Sequence, residues 1–168
     1  MNNINELLNQ YQFNLKGKIE KIIKENISNN DCLINRIALV YDRGQYEIIP
    51  PIIGILYNKD FPEDDFESLW NPEEFDLYAT KELAIDSSPE NLVNTINMLC
   101  RENRRNEESV ITMFLAICIE MTKWIRNTQK DKNSFFFATD PEMVEIKKNL
   151  SIIKNKVTGI DNRMPDWF

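Results

Sequence analysis

Between Asn106 and Ile125 apolar residues recur at helical spacing on nearly every side, and that pattern dictates what must surround the segment. Val110, Met113, Phe114, Ile117, Met121, Trp124 and Ile125 form one stripe, while Leu115, Ala116 and Ile119 make the opposite side apolar too. A helix that is apolar on most sides cannot lie open to water, so this one belongs at the centre, covered on most of its sides by other elements. Asn106-Glu107-Glu108 supplies its start, with two acids near the positive end of the helix dipole. A chain of 168 residues can build that cover in a single domain, because a chain this long buries roughly 70% of its unfolded surface. We therefore expect one domain over residues 1–168 that needs neither a disulfide nor a metal to fold.

The cover can be read off the same periodicities. Ile4, Leu7, Leu8, Tyr11, Leu15, Ile19, Ile22 and Ile23 define an amphipathic helix from Asn3 to about Asn26, with Asn3 as cap. Gly17 and its polar neighbours leave one long helix and two shorter ones both open. Ile34 to Tyr41 reads as a strand, Asp42-Arg43-Gly44 as its turn and Tyr46 to Ile49 as the returning strand of a β-hairpin. Pro50-Pro51 ends that strand or sets it at an edge, and Ile52 to Asn58 is a candidate third strand. Ser88-Pro89-Glu90 opens a helix carried by Leu92, Val93, Ile96 and Leu99. Ser134 to Ala138, with three consecutive phenylalanines, reads as a strand. Asp140-Pro141-Glu142 reads as the start of a last helix carried by Met143, Ile146, Leu150, Ile153 and Val157 and stopped near Gly159, followed by a tail over 158–168. The expected fold class is α+β, a small, mainly antiparallel sheet with helices packed on one face.

The chain contains no histidine, which removes the commonest general base near neutral pH, the commonest zinc ligand and every Ser-His or Cys-His pair. Cys32, Cys100 and Cys118 have no metal-ligand spacing and fit a reducing, cytoplasmic setting, with Cys100 and Cys118 read as small buried apolar residues. Neither glycine-rich phosphate loop is present. Asp140 with Glu145-Ile146-Lys147 has the residue types of an acid plus E-x-K metal-nuclease trio, at a spacing too short for it and in a helical context. No metal and no cofactor are expected. No apolar run reaches the ~18 residues of a membrane span, and a pI near 4.8 argues against binding nucleic acid through its backbone.

The net charge of −7 comes from one place. Residues 1–58 hold six basic and six acidic residues and residues 77–168 hold thirteen of each, whereas 59–76 hold eight acids against Lys59 alone. Such a block repels nucleic acid and anionic membranes and steers a basic protein toward it. Phe61, Phe66, Leu69, Trp70 and Phe75 are interleaved with the acids. Aromatic anchors beside carboxylates suit an interface, though the same rings could be tucked into the core with the acids as a solvated loop. The candidate partner-binding residues are Asp64, Asp65, Glu67, Trp70, Glu73 and Glu74, with Trp70 and Pro72 open to either a contact or a scaffold role.

The N-terminal helix, the strand Ile37-Ala38-Leu39-Val40-Tyr41 with its turn, the segment Trp70-Asn71-Pro72-Glu73-Glu74-Phe75 and the aromatic strand running into Asp140-Pro141 together resemble an uncharacterised bacterial family, a domain of unknown function found beside toxins of polymorphic and contact-dependent systems. The family's pattern at the middle segment looks like W-x-P-x-E-W, and the resemblance spans about residues 3–157. This chain departs from it at Phe75, in the acidic insert 59–76 and in its final residues. The resemblance implies an immunity-type protein that binds and neutralises a cognate toxin, one the acidic face would suit if basic, and it implies no catalytic residues. The competing expectation from the residues is a histidine-independent enzyme or small-ligand-binding domain. The oligomeric state is not legible.

Overall fold

A computed structural model describes residues 4–29, 33–43, 47–58, 66–79, 90–160 and 163–164. Helix α1 (Ile4–Asn29) runs unbroken through Gly17, so the first apolar stripe makes one helix. Strands β1 (Ile34–Val40) and β2 (Ile52–Tyr57) follow, then the short helix α2 (Phe66–Trp70), a 3₁₀ turn over Pro72–Glu74, and β3 (Leu77–Ala79). Helices α3 (Glu90–Glu102) and α4 (Arg104–Gln129), strand β4 (Phe135–Thr139) and helix α5 (Ile146–Lys154) complete the chain. The fold is α+β, as the sequence leads one to expect.

The four strands lie in the order β3-β2-β1-β4. β1 pairs antiparallel with β2, and β2 with β3, while β4 joins β1 in parallel, Arg36 opposite Phe135 and Val40 opposite Thr139. α4 packs against β4, α1 and α3 pack on α4 and on each other, and α5 lies against β4 and α4. α4 is covered on most of its sides: Val110, Ile111, Met113, Phe114, Leu115, Ile117, Cys118, Met121 and Ile125 are buried, while Ala116, Ile119 and Trp124 are half-buried and Glu108, Thr112, Glu120 and Lys123 form an exposed polar stripe. Cys100 and Cys118 are buried as well.

Three elements differ from expectation, each for a visible reason. The partner of β1 is Ile52–Tyr57, and 47–51 is no strand. There the side chain of Asn97 on α3 occupies the backbone of Ile49, donating from Nδ2 to its carbonyl (2.8 Å) and accepting its N–H (3.2 Å). Those groups are satisfied without a neighbouring strand. Gly44, Gln45 and Tyr46 lie outside the described residues. α4 begins two residues before Asn106, capped by Asn103, whose side chain accepts the N–H of Arg105. α5 begins at Ile146, because the Asp140 carboxylate takes the N–H of Glu145 (2.8 Å) and Met143 sits at φ 58°, a left-handed conformation that a helix cannot include. The Ser88-Pro89 helix start lies outside the described residues, although α3 follows directly.

The outer edge of β4 is closed by side chains. Thr122 Oγ1 accepts the N–H of Phe136, Asn149 Nδ2 donates to the carbonyl of Ala138, and Arg126 Nε donates to that of Ser134. These bonds occupy groups that an edge strand would otherwise offer to another chain.

Candidate functional site

Side chains alternate across a sheet, so the pairing assigns Arg36, Ala38, Gly54, Phe135 and Phe137 to one face. The segment 66–79, which we call the strap, covers that face with its first part and joins the sheet edge through β3. Three of its residues reach down: Trp70, at 0% exposure, Pro72 and Phe75. Trp70 meets Phe137 edge-on with ring centroids 5.4 Å apart and lies 5.9 Å from Phe135, and Phe75 meets Phe137 edge-on at 6.2 Å. The guanidinium of buried Arg36 lies over the Trp70 ring, 4.6 Å from its centroid. A Cβ on Gly54 would stand 3.1 Å from Phe75 and 3.5 Å from Pro72, so the residue without a side chain is what lets the strap approach this closely.

The strap's own geometry is set locally. Asn71 caps the 3₁₀ turn, its side chain accepting the N–H of Glu73, and Pro72 occupies the first position of the turn, where no donor is needed. The turn places Pro72 inward and Glu73 and Glu74 outward, both exposed. Ser68 donates to Glu74 (2.7 Å), and Asp76 accepts the N–H of Tyr57 (2.9 Å), tying the end of the strap to β2. Neither Glu73 nor Glu74 pairs with a lysine or arginine among the described residues, whereas Glu25, Glu47, Glu120 and Glu145 each do.

The six predicted contact residues therefore separate. Glu73 and Glu74 come together on the outer side of the strap. Trp70 is in the core, so of the two roles left open for it the scaffold role is the one its position serves, and Pro72 is buried beside it. Asp64 and Asp65 lie outside the described residues, and Glu67 lies in α2 with its side chain outside them. Among the described residues two of the helix cations pair elsewhere: Arg101 with Glu47 and Lys148 with Glu145.

Sequence reasoning missed the C-terminal residue that meets Trp70. Trp70 Nε1 donates to the backbone carbonyl of Arg163 at 2.6 Å, across 93 positions of sequence. A tryptophan buried with its N–H needs an acceptor, and that requirement was the available signal.

The residues with nuclease-like types form a different arrangement. Asp140 is spent on the Glu145 N–H, and Glu145 is held by Arg43 (2.8 Å) and Lys148 (3.1 Å). The hydrogen bond from Lys148, with its charge and that of Arg43, holds the Glu145 carboxyl below the usual range, against a smaller opposing effect of burial. Among the described residues no group of three acidic or cysteine side chains is arranged to hold a metal ion. No helix among them is long and apolar enough to cross a membrane. Comparison with known proteins finds no match: no family model, no curated protein and no solved structure corresponds to the chain.

Proposed function

We propose that this chain is an immunity-type protein that binds a cognate bacterial toxin and neutralises it, using the acidic outer side of the strap as its docking face. One observation carries the reading. Glu73 and Glu74 are exposed on a turn whose Pro72 is buried beside Trp70 and Phe75, and neither forms an ion pair among the described residues. A solvated loop would not need Trp70, Pro72 and Phe75 beneath it. Anchoring of this kind fixes charges in space, and fixed charges steer a basic partner and hold one docking register better than mobile ones. The rings act from below as the scaffold of the face, which narrows the contact set to the carboxylates: Glu73 and Glu74, with Asp64, Asp65 and Glu67 of the same acidic run. The family resemblance supplies the toxin as the class of partner.

The test is co-expression with the protein encoded by the adjacent gene, followed by titration calorimetry of the pair. Growth rescue by the natural chain, and at least a tenfold loss of affinity when Glu73 and Glu74 are both replaced by lysine, is the expected result. The affinity should fall with added salt, as attraction between charged faces does. Unchanged affinity in the charge-reversed chain would refute the face, and absence of any rescue would refute the immunity role.

A further inference from the structure

We infer that the C-terminal residues 157–160 together with Arg163 and Met164 act as a clasp that fixes the strap on the sheet, so that the position of Glu73 and Glu74 is set from the far end of the chain. The segment is itself anchored at both ends of its described part. Val157 and Ile160 are buried, and Met164 packs against the core. Arg126 on α4 grips it with a fork of donors, Nη1 to the carbonyl of Thr158 (2.6 Å) and Nη2 to that of Gly159 (3.2 Å), while its Nε holds Ser134 at the head of β4. The chain turns at Gly159, where φ is +70°. Beyond that turn the Arg163 carbonyl receives the Trp70 N–H.

Contacts therefore run from the central helix through Arg126 to Thr158 and Gly159, and from the Arg163 carbonyl through Trp70 to the 3₁₀ turn that carries the acids. Asn71 and Ser68 bond within the strap, Asp76 and β3 tie its end to β2, and its inward rings are held by packing, which allows sliding where a directed bond such as that of the Trp70 N–H does not. A buried indole N–H that loses its acceptor is also costly, so the clasp and the strap stabilise each other reciprocally. The importance of the clasp for toxin binding rests on the function proposed above, whereas its existence does not.

Hydrogen exchange read by mass spectrometry tests it without any partner. Two variants serve: Trp70→Phe, which keeps a ring but removes the donor, and a chain lacking residues 161–168, which removes the acceptor. The expected result is exchange about tenfold faster in 66–79 for both variants, and in 157–160 for Trp70→Phe, with β1 and the middle of α4 unchanged. Unchanged exchange in 66–79, or an equal rise throughout the protein, would overturn the clasp. If the exchange changes as expected while the chain binds no toxin, the clasp stands and the immunity reading falls.

Discussion

The side-chain amide of Asn97 satisfies both backbone groups of Ile49 at once, 48 positions away, in the way a neighbouring strand would. Gln129 does the same for Ile34, accepting its N–H (2.7 Å) and donating to its carbonyl (3.1 Å), and also donates to the hydroxyl of Ser134. Both clamps come from helices and end where regular sheet pairing stops.

Replacing Asn97 by alanine leaves a buried N–H and a buried carbonyl without partners. Each orphaned group costs about 1–3 kcal/mol, so the change should lower unfolding stability by about 3 kcal/mol, read as a reduced urea midpoint. Asn97→Asp should not rescue it, because the carboxylate cannot donate to the Ile49 carbonyl.

Trp70 and Glu73 should respond in opposite ways. Trp70→Ala empties a site at the centre of an aromatic cluster and should cost about 3–5 kcal/mol of stability. Glu73→Lys together with Glu74→Lys alters exposed side chains and should change stability by less than about 1 kcal/mol. Thermal melts of both variants beside partner titrations separate scaffold from contact.

Gly17 lies on the exposed face of α1 with nothing within 4 Å of where a Cβ would stand. Gly17→Ala should stabilise the protein by about 0.5–1 kcal/mol, since a helical glycine gives up more backbone freedom than alanine. A denaturation curve shifted to lower urea would contradict this.

Tyr11 is fully buried and its hydroxyl has no hydrogen-bond partner among the described residues. Tyr11→Phe removes a polar atom left unsatisfied by folding, so stability should rise by about 1 kcal/mol. A loss of similar size in the urea midpoint would show that the hydroxyl is satisfied in solution.

Burial, with a smaller effect from the charge of Glu107, pushes the Cys100 thiol from 9.0 up to about 11. Because the folded state holds this proton more tightly than the unfolded chain, the contribution is complete below about pH 9. It is lost as pH rises toward 11. Burial likewise pushes Tyr41 from 10.0 up to about 12, which extends the loss to higher pH. Stability measured from pH 8 to 11 should fall, and Cys100→Ala should flatten the fall between pH 9 and 11.

The helices were legible because their apolar stripes are local and long: α1 and α4 each run 26 residues with their buried positions at helical spacing. The start of α5 was not, since Asp140-Pro141-Glu142 has a helix opening's composition while Met143 takes a left-handed turn. The hairpin was misread because Tyr46 to Ile49 and Ile52 to Tyr57 carry similar patterns, and nothing local says which one pairs with β1.

Trp70 marks the same boundary within the candidate site. Its place among acids suits a contact or an anchor equally, and composition cannot choose. The choice is made by Phe135, Phe137 and Arg36, which the sheet register gathers under it, and by the Arg163 carbonyl that receives its N–H.

The amino-acid order alone determined the fold class, the central place of α4, the burial of Cys100 and Cys118 and the concentration of negative charge in 59–76. Each of these depends on residues near one another in sequence, where periodicity and charge add up locally. Tertiary structure alone decided which segment pairs with β1, that β4 joins in parallel, which aromatic rings face inward and which carboxylates stand outside. Those outcomes turn on contacts between residues tens of positions apart, where competing pairings differ by a few directed hydrogen bonds and packed rings that no single segment contains.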